Sequence, residues 1–450
     1  MRMDFDKADR VGRKGFTMPL TKEEILHYHL GGKVGLRATK PLASVRDLCL
    51  AYTPGVATPV REIRERPETA RRYTAKSNLV AVATDGTAVL GLGDMGPEAA
   101  IPVMEGKAVL FKAFGDVDGW PVPLDRCRRN GANSGPTDPQ RVIEAVAAIA
   151  PMYGGINLED IAAPACFEIE DQLDEMLDIP VFHDDQWGTA VITLAGIRNY
   201  AQLCERELSE LDVVVNGAGA AGIRIAEMLK AAGIRSVLLC DSRGVVRTAR
   251  DDLTAKKREH AVDTPHATLA EALRGRHVFI GVSVKDALTP DAVRDMADYP
   301  AIFAMANPDP EILPETVREI MGDRPYVMAT GRSDYPNQIN NVLGFPFLFR
   351  GALDVNASRI DMAMKMAAAD ALAAVAREPV GADVRALFPD EELVFGPSYL
   401  IPKPFDRRLF VAVPHAVAEA AVASGLAEPA ELTGYRERLD QRNASRQDLA

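Results

Sequence analysis

The chain has 450 residues, 47% hydrophobic and 26% charged, which is enough for two or three cores and excludes a disordered or fibrous chain. Its net charge of −12 argues against non-specific association with nucleic acid or an anionic membrane surface. Five cysteines, Cys49, Cys127, Cys166, Cys204 and Cys240, form no CxxC pair, so free thiols in a reducing compartment are expected, not a disulfide framework or a cysteine zinc site.

In chain order, the polar N-terminus lacks the apolar segment of a signal peptide, and no run approaches the ~18 apolar residues of a membrane helix. Cytoplasmic residence is the expectation. The first twenty residues read as an irregular arm. Thr21, with Glu24 three residues on, is a capping box that predicts a short helix over 21–29. An extended region follows, with a turn at Tyr52-Thr53-Pro54-Gly55. The apolar runs LVAVAT and TAVLGL flank Asp85-Gly86 and predict a β-hairpin over 79–92. Lys107 lies in KAVLFKAF, read as a strand or a helix start. A helix is expected over 141–152. Strands over 155–158 and 179–183 end in the acidic pairs Glu159-Asp160 and Asp184-Asp185, and a long helix opens at Gly188-Thr189. This order places a site at the C-terminal ends of strands.

From residue 212 the pattern is regular. Apolar strands over 212–216, 236–240, 277–282, 301–306 and 326–329 alternate with helices, which predicts a doubly wound parallel sheet. Further helices are expected over 359–376 and 416–425. The fold class is therefore α/β, with a boundary near Ala190. An N-terminal α/β catalytic domain spans 1–190. A Rossmann-type NAD(P)-binding domain with C-terminal helices spans 191–450.

The segment VVVNGAGAAG is a strand followed by Gly-x-Gly-x-x-Gly and a helix pattern, the context that makes this motif specific for a dinucleotide. Gly217 serves the turn, Gly219 the approach of pyrophosphate and Gly222 the helix–strand contact, while Ala220 and Ala221 open a helix whose N–H groups face phosphate. Asp241 ends the next strand, where an acid binds ribose hydroxyls and repels a 2′-phosphate. Arg243, Lys256, Lys257 and Arg258 follow and offset it, so NAD and NADP both stand.

The two acidic pairs repel one another unless a cation lies between them. Oxygen ligands suit Mg²⁺ or Mn²⁺; the alternative is that Asp184 and Asp185 complement a helix dipole. Lys107 within an apolar stretch is either a base with a depressed pKa or a lysine reaching solvent. Tyr52 in a Pro-Gly turn reads equally as a packing residue.

Taken together, DLCLAYTPGVA, TDGTAVLGLGDMGPEAAIPVMEGKAVLFKAF, INLEDIAAP, VFHDDQWGTA, VVVNGAGAAG, ANPDPE and SDYPNQINNVLGFPFLFRGALD resemble, in that order, the shorter bacterial branch of the malic enzymes. The acyltransferase-like extension of some longer relatives is not expected. The resemblance implies Tyr52 as general acid and Lys107 as general base. It implies Glu159, Asp160 and Asp185 as divalent-metal ligands, with Asp184 just outside that set. Asn307 and Asn341 line the cofactor and substrate pocket, Asn340 being the alternative to Asn341. It implies a homodimer or larger homo-oligomer, with Tyr52 reaching a neighbouring subunit's site as one arrangement.

Two positions depart from the family. Ala88 stands where larger malic enzymes carry a carboxylate-binding arginine, which leaves that task to Asn307, Asn341, backbone amides or the metal. Trp187 stands where short-branch relatives often have histidine, so a changed pocket shape or substrate preference is expected. The implied reaction is oxidative decarboxylation of L-malate to pyruvate and CO2 with reduction of NAD(P)+. Malolactic or oxaloacetate-decarboxylating activity at the same site, and a catalytically silent dinucleotide sensor, are the alternatives.

Overall fold

The computed structural model describes residues 20–129 and 135–446; the expected N-terminal arm falls outside them except for Leu20. Two parallel sheets organise the chain. The first contains β1 (Leu79–Thr84), β2 (Asp118–Pro123), β3 (Gly155–Leu158) and β4 (Val181–His183), in the order β2-β1-β3-β4 with every pairing parallel. The α/β class is borne out.

The hairpin expected over 79–92 does not form. β1 is a central strand with parallel neighbours on both sides, so no edge remains for an antiparallel return. The Asp85 carboxylate is buried and takes hydrogen bonds from Arg128 Nη1 at 2.5 Å and Thr137 Oγ1 at 2.6 Å. Met95 and Gly96 donate their N–H groups back to the Gly86 carbonyl, closing a compact loop where a second strand was expected. That loop delivers the chain to a 19-residue helix, Pro97–Gly115, with proline in its first turn. Lys107 therefore sits in mid-helix; the strand reading failed because KAVLFKAF is apolar on more than one face, which periodicity alone does not resolve. The helices Pro139–Ile149 and Lys22–Tyr28 match expectation, the second with both arms of its capping box formed.

Strand β4 leads straight into the helix Asp184–Leu203, four residues earlier than the expected opening at Gly188. Asp184 and Asp185 thus occupy its first turn, where the dipole favours carboxylates. The expected domain boundary at Ala190 falls inside this helix, which is buried along most of its length.

The second sheet contains β5 (Asp212–Asn216), β6 (Ser236–Asp241), β7 (Gly244–Val245), β8 (Val278–Gly281), β9 (Ala301–Ala304) and β10 (Val327–Thr330), in the order β10-β9-β8-β5-β6-β7. Only β7 is antiparallel to its neighbour. The chain leaves β5 for β6 on one side and returns to β8 on the other, so the strand order reverses beside β5. Open α/β sheets bind ligands beyond the strand ends at such a point. The first sheet reverses in the same way at β1 and β3. The helix Phe345–Asp354 packs back on the first sheet, with Phe345 and Phe349 edge-on to Phe111 at 4.7 and 5.3 Å.

Candidate active site

The C-terminal ends of β1, β3 and β4 gather the acidic residues. Glu159, Asp160 and Asp185 each offer a carboxylate oxygen, and these atoms lie within 4.8 Å of one another. Asp160 is in the left-handed region at φ 54°, a conformation aspartate tolerates. This turns its N–H onto Asp185 Oδ2 at 2.8 Å, so the ends of β3 and β4 are tied by a backbone-to-carboxylate bond. Three converging carboxylates, two buried and that of Asp185 partly exposed, fit a hard divalent cation. Asp184 Oδ1, buried without a hydrogen-bond partner, adds to the local demand for a positive charge. Both ring nitrogens of His183 are likewise buried without partners, and Nδ1 lies 3.9 Å from Asp185 Oδ2. The sequence reading passed over His183 because a lone histidine at a strand end carries no pattern.

Lys107 reaches this cluster from its helix. Its Nζ is 2.6 Å from Asp184 Oδ2 and 3.0 Å from Glu159 Oε1, 4.6 Å from the Phe345 ring centroid, and the residue is 8% exposed. Burial works to lower the Lys107 ammonium, but Asp184, Glu159 and Asp185 outweigh it and hold the group above the ordinary lysine range. Burial also pushes Glu159 well above the usual carboxylate range, against the pull of Lys107. Of the two sequence readings of Lys107, neither holds as stated: the side chain is buried and not directed to solvent, and its ammonium lies above the ordinary lysine range, not below it.

The glycine loop joins the C-terminal end of β5 to the helix Ala220–Ala231. Gly217 has φ +122°, and a Cβ there would meet the Val282 carbonyl oxygen at 2.5 Å. A Cβ on Gly222 would collide with the Gly217 carbonyl, whereas Gly219 has nothing within 4 Å of that position. The loop is therefore packed tightly on the protein side and open on the other. The helix Ala220–Ala231 starts at that opening with no side-chain cap, leaving N–H groups for a pyrophosphate. These features fit a dinucleotide.

Asp241 ends β6 as expected, but its surroundings were not anticipated. Arg250 grips both carboxylate oxygens at 2.8 and 3.0 Å, Lys257 Nζ is 2.7 Å from Oδ2, and the Arg243 N–H donates to Oδ1 at 2.9 Å. Partial burial works to raise the carboxyl, yet the bonds from Arg250 and Lys257 bring it down to about 2. Arg250 was missed because no motif marks it. Of the basic run, only Lys257 reaches Asp241: Lys256 pairs with Asp171 and Arg258 donates to the Leu253 carbonyl.

The two sheets' loops meet across the site. A Cβ on Gly91 would lie 3.0 Å from the Asn307 carbonyl oxygen, and one on Gly188 would lie 2.9 Å from Asn341 Cβ. Asn307 therefore approaches the loop that follows Asp85, and Asn341 the first turns of the helix that begins at Asp184. The Asn340 amide oxygen instead accepts the Val342 N–H at 3.0 Å. The Ala88 N–H donates to the Asp160 carbonyl at 2.9 Å and is taken from the pool of anion-binding amides. Trp187 Nε1 donates to Glu170 at 3.0 Å, with the ring between Lys365 and Arg224; the side chain is committed to contacts between helices. Tyr52 stands apart. It is 68% exposed and follows the helix Val45–Ala51, which has no buried residue.

Residues 32–174 match the family model described as the malic enzyme N-terminal domain, and residues 187–394 that of the malic enzyme NAD-binding domain. The chain is 51% identical over 97% of its length to the NADP-dependent malic enzyme of Rhizobium meliloti, spanning 56% of that protein. It is 50% identical over 90% of its length to the NADP-dependent malic enzyme of Halomonas elongata, spanning 94% of it. The crystal structure of malic enzyme from Pyrococcus horikoshii is similar with a TM-score of 0.80 at 37% identity, over 95% of this chain and 99% of that one.

Proposed function

The chain belongs to the malic enzyme family, and from that premise we propose that it converts L-malate to pyruvate and CO2 by metal-dependent oxidative decarboxylation with NADP+ as acceptor. The observation that carries this reading is Lys107, buried between Glu159 and Asp184 beside three converging carboxylates. Glu159, Asp160 and Asp185 would hold Mg²⁺ or Mn²⁺, which when bound supplies a Lewis acid for the substrate carbonyl and a positive charge that weakens the hold of Lys107 on its proton. Lys107 would take the proton of the C2 hydroxyl, and a bound dinucleotide would supply the acceptor for the hydride that leaves C2. Tyr52 returns a proton to carbon after CO2 departs. Asn307 and Asn341 orient the substrate against the glycine loop. We divide these tasks between residues 1–190, which hold acid, base and metal ligands, and residues 191–450, which hold the dinucleotide.

The choice of NADP+ rests on Asp241. A carboxylate has about four acceptor sites, and here protein donors fill them. Ribose hydroxyls would have to displace a charge-assisted bond, whereas a 2′-phosphate meets Arg243, Arg250 and Lys257. Malate turnover measured in parallel with NADP+ and NAD+, with and without chelator, tests both parts. Pyruvate is expected with NADP+ and loss of activity with chelator, while lactate without net reduced cofactor points to malolactic chemistry. Lys257→Ala is expected to lower kcat/KM for NADP+ about tenfold, the worth of one charge-assisted bond, and to leave NAD+ use unchanged. An equal loss with both dinucleotides would overturn the NADP+ assignment.

Tyr52 serves a second copy's site in this reading. More than half of the exposed large apolar side chains among the described residues lie between Leu20 and Val60, and each such side chain gains about 1.5–3 kcal/mol on full burial. A homodimer covers them and brings Tyr52 to a neighbouring Lys107. Mixing inactive Tyr52→Phe and Lys107→Ala proteins under subunit exchange is expected to restore about a quarter of wild-type activity, because a hybrid twofold dimer has one intact site. No recovery in demonstrated hybrids would place both residues in one subunit. The thiols of Cys127, Cys166 and Cys240 are buried and unpaired, and no helix among the described residues is long and apolar enough to cross a membrane. Both features support a cytoplasmic location.

A further inference from the structure

The residues that follow the acidic pair are held by a buried charged network that the reaction itself does not use. Arg224 lies on the helix Ala220–Ala231, two residues beyond Gly222, and is 4% exposed. Its Nε donates to Gln186 Oε1 at 2.9 Å, its Nη2 lies 3.3 Å from Glu170 Oε2 and 3.1 Å from Asp171 Oδ1, and its Nη1 is 2.9 Å from Glu227. Glu170 is buried on the helix Ala165–Met176. Its Oε1 accepts the His183 N–H at 2.8 Å and its Oε2 the Trp187 indole N–H at 3.0 Å. One carboxylate thus brackets Asp184 and Asp185, gripping the residue before them and a residue after them. The indole of Trp187 is clamped between Lys365 Nζ, 3.7 Å from its centroid, and the Arg224 guanidinium, 4.6 Å away.

We propose that Arg224 is a positioning residue that couples the dinucleotide-binding helix to the turn carrying Asp184 and Asp185. This rests on the proposed reading that the glycine loop binds a dinucleotide and that Glu159, Asp160 and Asp185 hold a divalent cation. The guanidinium is a planar fork with fixed donor directions, and its partners are on the helices of both sites. Phosphate binding at the start of the helix Ala220–Ala231 fixes Arg224, which fixes Gln186 and Glu170, which fix the backbone on either side of Asp185. Any such coupling is reciprocal: the dinucleotide tightens the metal by the factor by which the metal tightens the dinucleotide.

The test is direct titration of the full chain with Mn²⁺ alone, without malate, in the presence and absence of saturating NADP+. In the wild type the Mn²⁺ dissociation constant is expected to fall about tenfold with NADP+, and the NADP+ constant by the same factor with Mn²⁺, within the usual range of couplings. Arg224→Gln, which keeps a donor but loses the fork, is expected to bring that factor close to one. Trp187→Phe, which frees one oxygen of Glu170 while keeping an aromatic ring, is expected to reduce it and carries the test should Arg224→Gln not fold. A wild type without coupling, or variants whose affinities shift while the factor persists, would overturn the proposal. Because malate is omitted, a coupled protein that makes no pyruvate would sink the proposed reaction and keep this inference.

Discussion

Lys107→Ala is expected to lower the rate of malate oxidation by about 10³- to 10⁴-fold, the upper part of what a positioned acid–base group contributes, while NADP+ affinity stays near wild type. The separation follows from placement. Lys107 lies on the helix Pro97–Gly115 and touches Glu159, Asp184 and Phe345, whereas the glycine loop packs on Val282, just beyond β8 of the other sheet. The substitution also removes the counter-charge of two buried carboxylates. Breaking a buried pair costs about 3–5 kcal/mol when the remaining charge stays ionised, but Glu159 is already pushed toward its neutral form by burial, so part of that cost is met by taking up a proton. Thermal unfolding measured beside the kinetics separates lost stability from lost chemistry. Wild-type turnover in a folded Lys107→Ala protein would remove Lys107 from the mechanism.

The sequence predicted these elements unevenly, and the reasons are physical. The five parallel strands of the second sheet were legible within a few residues because parallel strands buried on both faces are short apolar runs between helices; the antiparallel β7 was not expected. The glycine motif was legible because two close backbone approaches, at Gly217 and Gly222, each require a missing Cβ. The return strand expected after Asp85-Gly86 was misread because Asp-Gly is a local signal, and the tether that overrides it, Arg128 and Thr137 on Asp85, comes from more than forty residues away. Residue type and order pointed to Glu159, Asp160, Asp185 and Lys107, but not to their state. The pairing of Lys107 with Asp184 requires a helix packed across strand ends, which sequence spacing does not encode. Arg250 and Arg224 were invisible for the same reason: a basic residue on a helix or loop gains meaning only from the carboxylate it meets. Trp187 shows the converse. It was noticed as a departure from the family and assigned to the pocket, whereas its indole is bound to Glu170.

Asp185→Asn is expected to weaken Mn²⁺ binding by about 10²- to 10³-fold and to lower malate turnover with it at subsaturating metal. The substitution is close to isosteric. Asp185 Oδ2 accepts the Asp160 N–H, and an amide oxygen still accepts that bond, so the junction of β3 and β4 survives. What is lost is one of three charges. Two unit charges 4 Å apart interact by about 4 kcal/mol at an effective dielectric constant of 20; a divalent ion doubles this, and desolvation offsets much of it. Asp184→Asn provides the contrast. Asp184 stands outside the three-carboxylate cluster and bonds Lys107, so that variant is expected to disturb the position and protonation of Lys107 while shifting the Mn²⁺ midpoint far less. If instead the two variants shift the metal titration equally, Asp184 is a ligand. If Asp185→Asn leaves the titration unchanged, the cation does not sit among these carboxylates, and Asp185 serves to hold the Asp160 N–H and complement the dipole of its helix.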